Sequence, residues 1–169
     1  GERTKVLPKT SAINEVQYKD YFKGLLEDCD AVVHLALSGE ISSSCSHAQT
    51  AASKLANVFV IDSKSLSTGI ALLAIYAREL ADSGETPDAI VEKVSARVPF
   101  VQASFVVHTL SYLHKGGRCS GASRFLGGIL RIKPQIIVNP EGKMEPSKKF
   151  IGRGVPVVKA YCEQVLINN

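Results

Sequence analysis

The chain lacks any apolar run approaching the ~20 residues that cross a bilayer, so no integral membrane segment is expected. Its four cysteines, Cys29, Cys45, Cys119 and Cys162, are scattered, and none forms C-x-x-C. The histidines His34, His47, His108 and His114 hold no metal-ligand spacing with them, which argues against structural zinc. Scattered, core-like cysteines in a chain of this length suit a reducing cytoplasm. The start, GERTKVLPKTS, is polar and charged and shows no secretory leader. The net charge is a mild +4, without the dense basic stripe and interleaved aromatics of a nucleic-acid binder. Lys143, Lys148, Lys149 and Arg153 cluster over one turn and its flanks, either as solvated surface or as a docking patch for an acidic partner. The nucleophile elbow G-x-S-x-G and the phosphate loop G-x-x-x-x-G-K-[ST] are both absent. No acid neighbours Asp62 to build a metal site, so that residue is expected to cap or fix a loop.

What is present is an ordinary globular composition. Of 169 residues, 45% are hydrophobic and 21% charged, enough to bury a core in one domain or two small ones. Asn14 and Gln17 read as a capping box, followed by an apolar helical stripe of Tyr18, Tyr21, Phe22, Leu25 and Leu26. Ala31 to Leu37 reads as a buried strand, then a helix from Ser44 to about Ala56, then a strand from Val58 to Asp62. Ser67 or Thr68 is expected to cap a long helix that Gly84 stops, and Thr86-Pro87 opens the next. This alternation predicts a parallel sheet with helices on both faces. Beyond a crossing point near Val98 to Ala103, shorter elements follow. They are a strand at Ser104 to Val107, a helix at Thr109 to His114, a helix starting at Ser120, strands at Lys133 to Val138 and Lys143 to Phe150, and a helix from Val155-Pro156 to Val165. These predict a smaller α+β unit. No internal repeat is visible.

Ligands of open parallel sheets sit at the carboxyl ends of the strands. Two serine-rich loops fall there, Ser38 to Ser46 and Asp62 to Gly69, and each feeds a helix. Helix N-termini with small hydroxyls receive anions, although serines before helices are also commonly plain caps. Thr10-Ser11 could face the same end. A serine nucleophile needs a base and an orienting acid, and His47 near Ser42 has no paired carboxylate. Gly116-Gly117-Arg118 is either a cationic helix start or a turn between helices.

Taken together, several blocks resemble the DegV family of bacterial fatty-acid-binding proteins. They are Leu7-Pro8-Lys9-Thr10-Ser11, Leu37-Ser38-Gly39-Glu40-Ile41-Ser42, Val60-Ile61-Asp62-Ser63-Lys64-Ser65 with Ser67-Thr68-Gly69, the run from Thr109 to Arg118 (TLSYLHKGGR), and Ile132-Lys133-Pro134. The resemblance implies an α/β protein of two domains, residues 1–98 with the parallel sheet and residues 99–169 as the smaller α+β unit. It implies a long-chain fatty acid in the cleft between them. By position the carboxylate ligands fall on Thr10 and Ser42, with Ser11, Ser38, Gly39, Ser43 and Ser63 as further candidates for the pocket. The family presents its fatty acid to a fatty-acid kinase, and Arg118, Lys148, Lys149 and Arg153 are candidates for docking it. No catalytic residue, metal or cofactor is implied. The chain departs from the family pattern at Ala12 and Ile13 and at Ser43, Ser44 and Cys45. It covers about the middle three-fifths of a typical member, without the first strand of one domain and the carboxyl-terminal part of the other. Two alternatives stay open: a serine-dependent esterase or acyl transferase, and a degenerate interaction module without ligand.

Overall fold

The computed structural model describes residues 9–119, 121 and 132–167. The elements run α1 (Glu15–Leu25), β1 (Val32–Ala36), α2 (Ser44–Ala52), β2 (Val58–Asp62), α3 (Ser67–Asp82) and α4 (Pro87–Arg97). A 3₁₀ turn (Val98–Phe100) leads to β3 (Ser104–Val106), α5 (Ser111–Lys115), β4 (Ile132–Val138), β5 (Met144–Ile151) and α6 (Val155–Ile167). Leu7, Pro8 and the helix expected to start at Ser120 lie outside the described residues.

Local chemistry explains the helix starts. At α1 the Asn14 side chain accepts from the Gln17 amide at 3.0 Å, and Gln17 Oε1 accepts from the Asn14 amide at 3.1 Å. Both halves of the capping box are therefore closed. The stripe beyond it buries Tyr18 and Phe22, half-buries Leu25 and Leu26, and leaves Tyr21 exposed. At α4, Thr86 Oγ1 accepts from the Ala89 amide at 3.3 Å and Pro87 takes the first helical position.

β1 and β2 pair in parallel, from Val32 opposite Val58 to Ala36 opposite Asp62. A parallel pair needs a crossover, and α2 supplies it. Strand alternation then sorts the side chains. Val32, Val58 and Val60 pack with Tyr18, Phe22 and Ala48 of α1 and α2. Val33, Leu35 and Ile61 pack with Leu73, Ile90 and Val94 of α3 and α4. Helices thus cover both faces, as the alternating pattern predicts.

Two boundaries differ from expectation. α2 stops at Ala52 rather than near Ala56, because the chain turns through Asn57, at φ 60°, to enter β2. Neither Ser67 nor Thr68 caps α3: Leu66 holds the cap position without a side-chain bond, and Ser67 enters the helix at φ 43°. Leu66 is partly buried against the second core, so apolar anchoring sets this entry instead of a hydroxyl.

β3, β4 and β5 form an antiparallel sheet in that order, with a bulge between Pro134 and Ile136. The β4–β5 turn is closed by Gly142 N–H to Asn139 O at 2.8 Å and by Lys143 N–H to Asn139 Oδ1 at 2.8 Å. Ile136 and Met144 pack with Leu110 and Cys119, joined by Phe105, Val107, Leu113 and Val138. α6 meets β3 through Tyr161, whose hydroxyl donates to Ser104 O at 2.7 Å. Ile41 and Leu66, from the strand-end loops of the parallel sheet, pack into this second core and join the two sheets.

Candidate functional site

The two serine-rich loops leave the carboxyl ends of β1 and β2 side by side, held by Ser38 N–H to Ser65 O at 3.0 Å and Ser63 N–H to Ala36 O at 3.2 Å. Asp62 fixes both. Its carboxylate accepts from Gly39 N–H at 3.3 Å and Lys64 N–H at 3.0 Å, and pairs with Lys64 Nζ at 3.1 Å. Part of the anion-receptive backbone at these strand ends therefore serves an internal carboxylate. Ser63 is fully buried in a local turn, accepting from the Ser65 amide at 3.2 Å. Ser38 is fully buried too, and its hydroxyl donates to Gly142 O at 2.8 Å. The hydroxyls of Ser38 and Ser63 and the Gly39 amide thus have protein partners.

Ser42 is half-buried at the entrance to α2. Its Oγ accepts from the Ser44 amide at 3.2 Å and donates to Ser44 Oγ at 3.0 Å. Ser43 is exposed; it is the N-cap residue, and its carbonyl accepts from Ser46 Oγ at 2.9 Å. His47, on α2, places Nδ1 2.7 Å from Ile13 O. A carbonyl only accepts, so Nδ1 carries the proton, and the ring ties the Thr10–Ile13 segment to α2. The Cys45 thiol beside this loop is pushed up first by burial and then by the Asp62 charge, with Lys64 opposing.

Thr10 and Ser11 are both exposed, and Thr10 borders a cleft of about 490 Å³. Tyr112, Leu113 and Met144 give this cleft apolar walls, while Lys115, Gly116 and Arg118 bring two cations and a bare backbone. The cleft joins a residue of the segment before α1 to residues of α5 and β5. Ser42 is not among its lining residues. Gly116 caps α5, Gly117 turns at φ 69°, and the Arg118 amide donates to Leu113 O at 3.2 Å, so this run is a helix-ending turn that delivers Arg118 to the cleft. Lys148 and Lys149 lie exposed on β5, and Arg153 is exposed in the turn before α6. A second cavity of about 430 Å³, between the 3₁₀ turn, β4 and α6, contains none of the candidate site residues. Among the described residues no His, Cys, Asp or Glu cluster suits a metal, and no helix is long and apolar enough to cross a membrane.

Sequence reading missed the tether from His47 and the wall residues Tyr112, Leu113, Lys115 and Met144. A signal for most of these existed: Tyr112, Leu113 and Lys115, with Gly116 and Arg118, fall within the run from Thr109 to Arg118.

A family model described as "Uncharacterised protein, DegV family" matches residues 2–165. A DegV domain-containing protein of Deinococcus radiodurans is 31% identical over 166 residues, 95% of this chain and 59% of that protein. A DegV lipid binding protein from Thermotoga maritima superimposes with a TM-score of 0.83 at 30% identity, covering 97% of this chain and 57% of that one. A second Thermotoga maritima protein, whose structure reveals a fatty acid binding function, superimposes with a TM-score of 0.81 at 28% identity over the same shares. This chain therefore spans a little under three-fifths of the length of each of these relatives.

Proposed function

The chain belongs to the DegV family, and from that premise we propose that it is a non-catalytic carrier that binds one long-chain fatty acid between a first domain, residues 1–98, and a second, residues 99–169. The observation that carries this reading is the cleft that combines Thr10, two cations and the apolar walls of Tyr112, Leu113 and Met144. A carboxylate needs donors and positive charge at one end; an alkyl tail needs apolar walls beyond them. In this reading Thr10 and Ser42 donate to the carboxylate, and Ser42 turns its hydroxyl from Ser44 to do so. Burial of the tail, at about 0.8 kcal/mol per CH₂, dominates affinity, and the head group sets orientation. The carrier works in the cytoplasm, where its four cysteines, none in a disulfide, remain reduced. A fatty-acid kinase takes the presented carboxylate, docking through Arg118, Lys148, Lys149 and Arg153.

Native extraction followed by mass spectrometry tests the reading. A co-purifying long-chain fatty acid is expected, and well-folded protein that contains none and takes up none overturns it. Turnover of a model ester that Ser42→Ala abolishes would instead favour a serine-dependent esterase.

A further inference from the structure

We propose that Ser38 and Gly142 form a latch that sets how the two halves of the chain close around the cleft, with Ser38 as a positioning residue rather than a ligand contact. The inference rests on the fatty-acid reading for its binding readout alone. Ser38 sits in the loop after β1 and has no exposed surface. Its hydroxyl donates at 2.8 Å to the carbonyl of Gly142, 104 positions along the chain at the tip of the β4–β5 turn. The same oxygen accepts from the Glu40 amide at 3.3 Å, so it is held on both sides. Gly142 adopts φ 91°, and a Cβ there would stand 2.3 Å from Ser38 Oγ and 3.2 Å from Lys64 Cα. Only glycine allows both that backbone conformation and that approach.

The latch stands between a wall of the cleft and the Ser42 loop. Met144, two positions beyond Gly142, lines it. Ser42 lies four positions beyond Ser38 and donates its own amide to Ser38 O at 3.1 Å. Lys143 and Glu40 form an outer ion pair at 3.5 Å, half-exposed and therefore a minor contributor. Ile41 and Leu66 provide the apolar seat beneath. A shift of the turn tip against the Ser38 loop thus moves a cleft wall and the Ser42 loop relative to each other.

The full chain carries its own reporters. Cys29 and Cys162 are exposed, one in each half, whereas Cys45 and Cys119 are buried. Nitroxides on Cys29 and Cys162 give the interhalf distance by pulsed electron resonance. A single narrow distribution is expected for the unsubstituted protein, and a broadened or shifted one for Ser38→Ala and for Gly142→Ala. The double variant is expected closer to the unsubstituted protein than Gly142→Ala alone, because the oxygen that the new Cβ would meet is gone. Palmitate affinity is expected to fall about tenfold in Ser38→Ala, with the far-ultraviolet circular dichroism unchanged. Superimposable distance distributions for Ser38→Ala and the unsubstituted protein overturn the latch, and they do so even if Gly142→Ala fails to fold. Broadened distances in a protein that takes up no palmitate support the latch and count against the carrier reading.

Discussion

At the scale of single residues, burial decides which polar groups work for the fold. His34 lies on β1 against Tyr18 and Phe22, with ring centroids at 5.5 and 5.4 Å, and its Nε2 is buried without a hydrogen-bond partner among the described residues. Burial holds its pKa below the ordinary histidine value of about 6.5. The unfolded chain then takes up the proton more readily than the fold does. Stability from this group is present above pH ~6.5 and declines as pH falls below it. The melting temperature should drop between pH 7.5 and pH 5.5, and His34→Phe should reduce that drop; equal slopes for the two proteins would contradict the assignment. Asp62 is the other decisive residue. Its removal in Asp62→Ala leaves the Gly39 and Lys64 amides without their acceptor and should cost about 1.5–3 kcal/mol in urea unfolding. The sequence pointed to a loop-fixing role here because no second acid stands nearby. It gave no sign that Ser38 turns inward, since its partner is a backbone carbonyl 104 positions away.

At the scale of elements, periodic patterns were legible and anchoring by distant cores was not. The capping box at Asn14, the proline start of α4 and the strands Val32–Ala36 and Val58–Asp62 follow from short-range chemistry written in adjacent residues. The entry to α3 does not, because Leu66 is held by a core that forms from β3, β4 and β5. Element packing also gives a measurable cost. Phe22 is fully buried between α1, α2 and β1, so Phe22→Ala should lose about 3–5 kcal/mol by thermal or urea unfolding. Asn14→Ala, which opens the capping box, should lose only about 1 kcal/mol. A larger loss at Asn14 than at Phe22 would mean that α1 depends on its cap more than on its packed face.

At the scale of the whole molecule, the cleft depends on residues far apart in sequence. The blocks that resemble the family were readable one by one, but their meeting was not. Thr10 borders the cleft three residues before Ile13, whose carbonyl His47 ties to α2, and Met144 lines it from β5, packed in one core with Leu113 and bridged to Cys119. Ser42, the residue that the motif pattern put first, instead faces Ser44 and stands outside the cleft lining. The carrier account therefore requires Ser42 to change partner when a carboxylate arrives. Calorimetric titration of delipidated protein with palmitate, in parallel with Thr10→Ala and Ser42→Ala, tests this most directly. The account predicts one site per chain, with each substitution weakening binding about 10- to 100-fold, the equivalent of a lost hydrogen bond to a charged oxygen. No heat and no uptake by the folded, unsubstituted chain would contradict it.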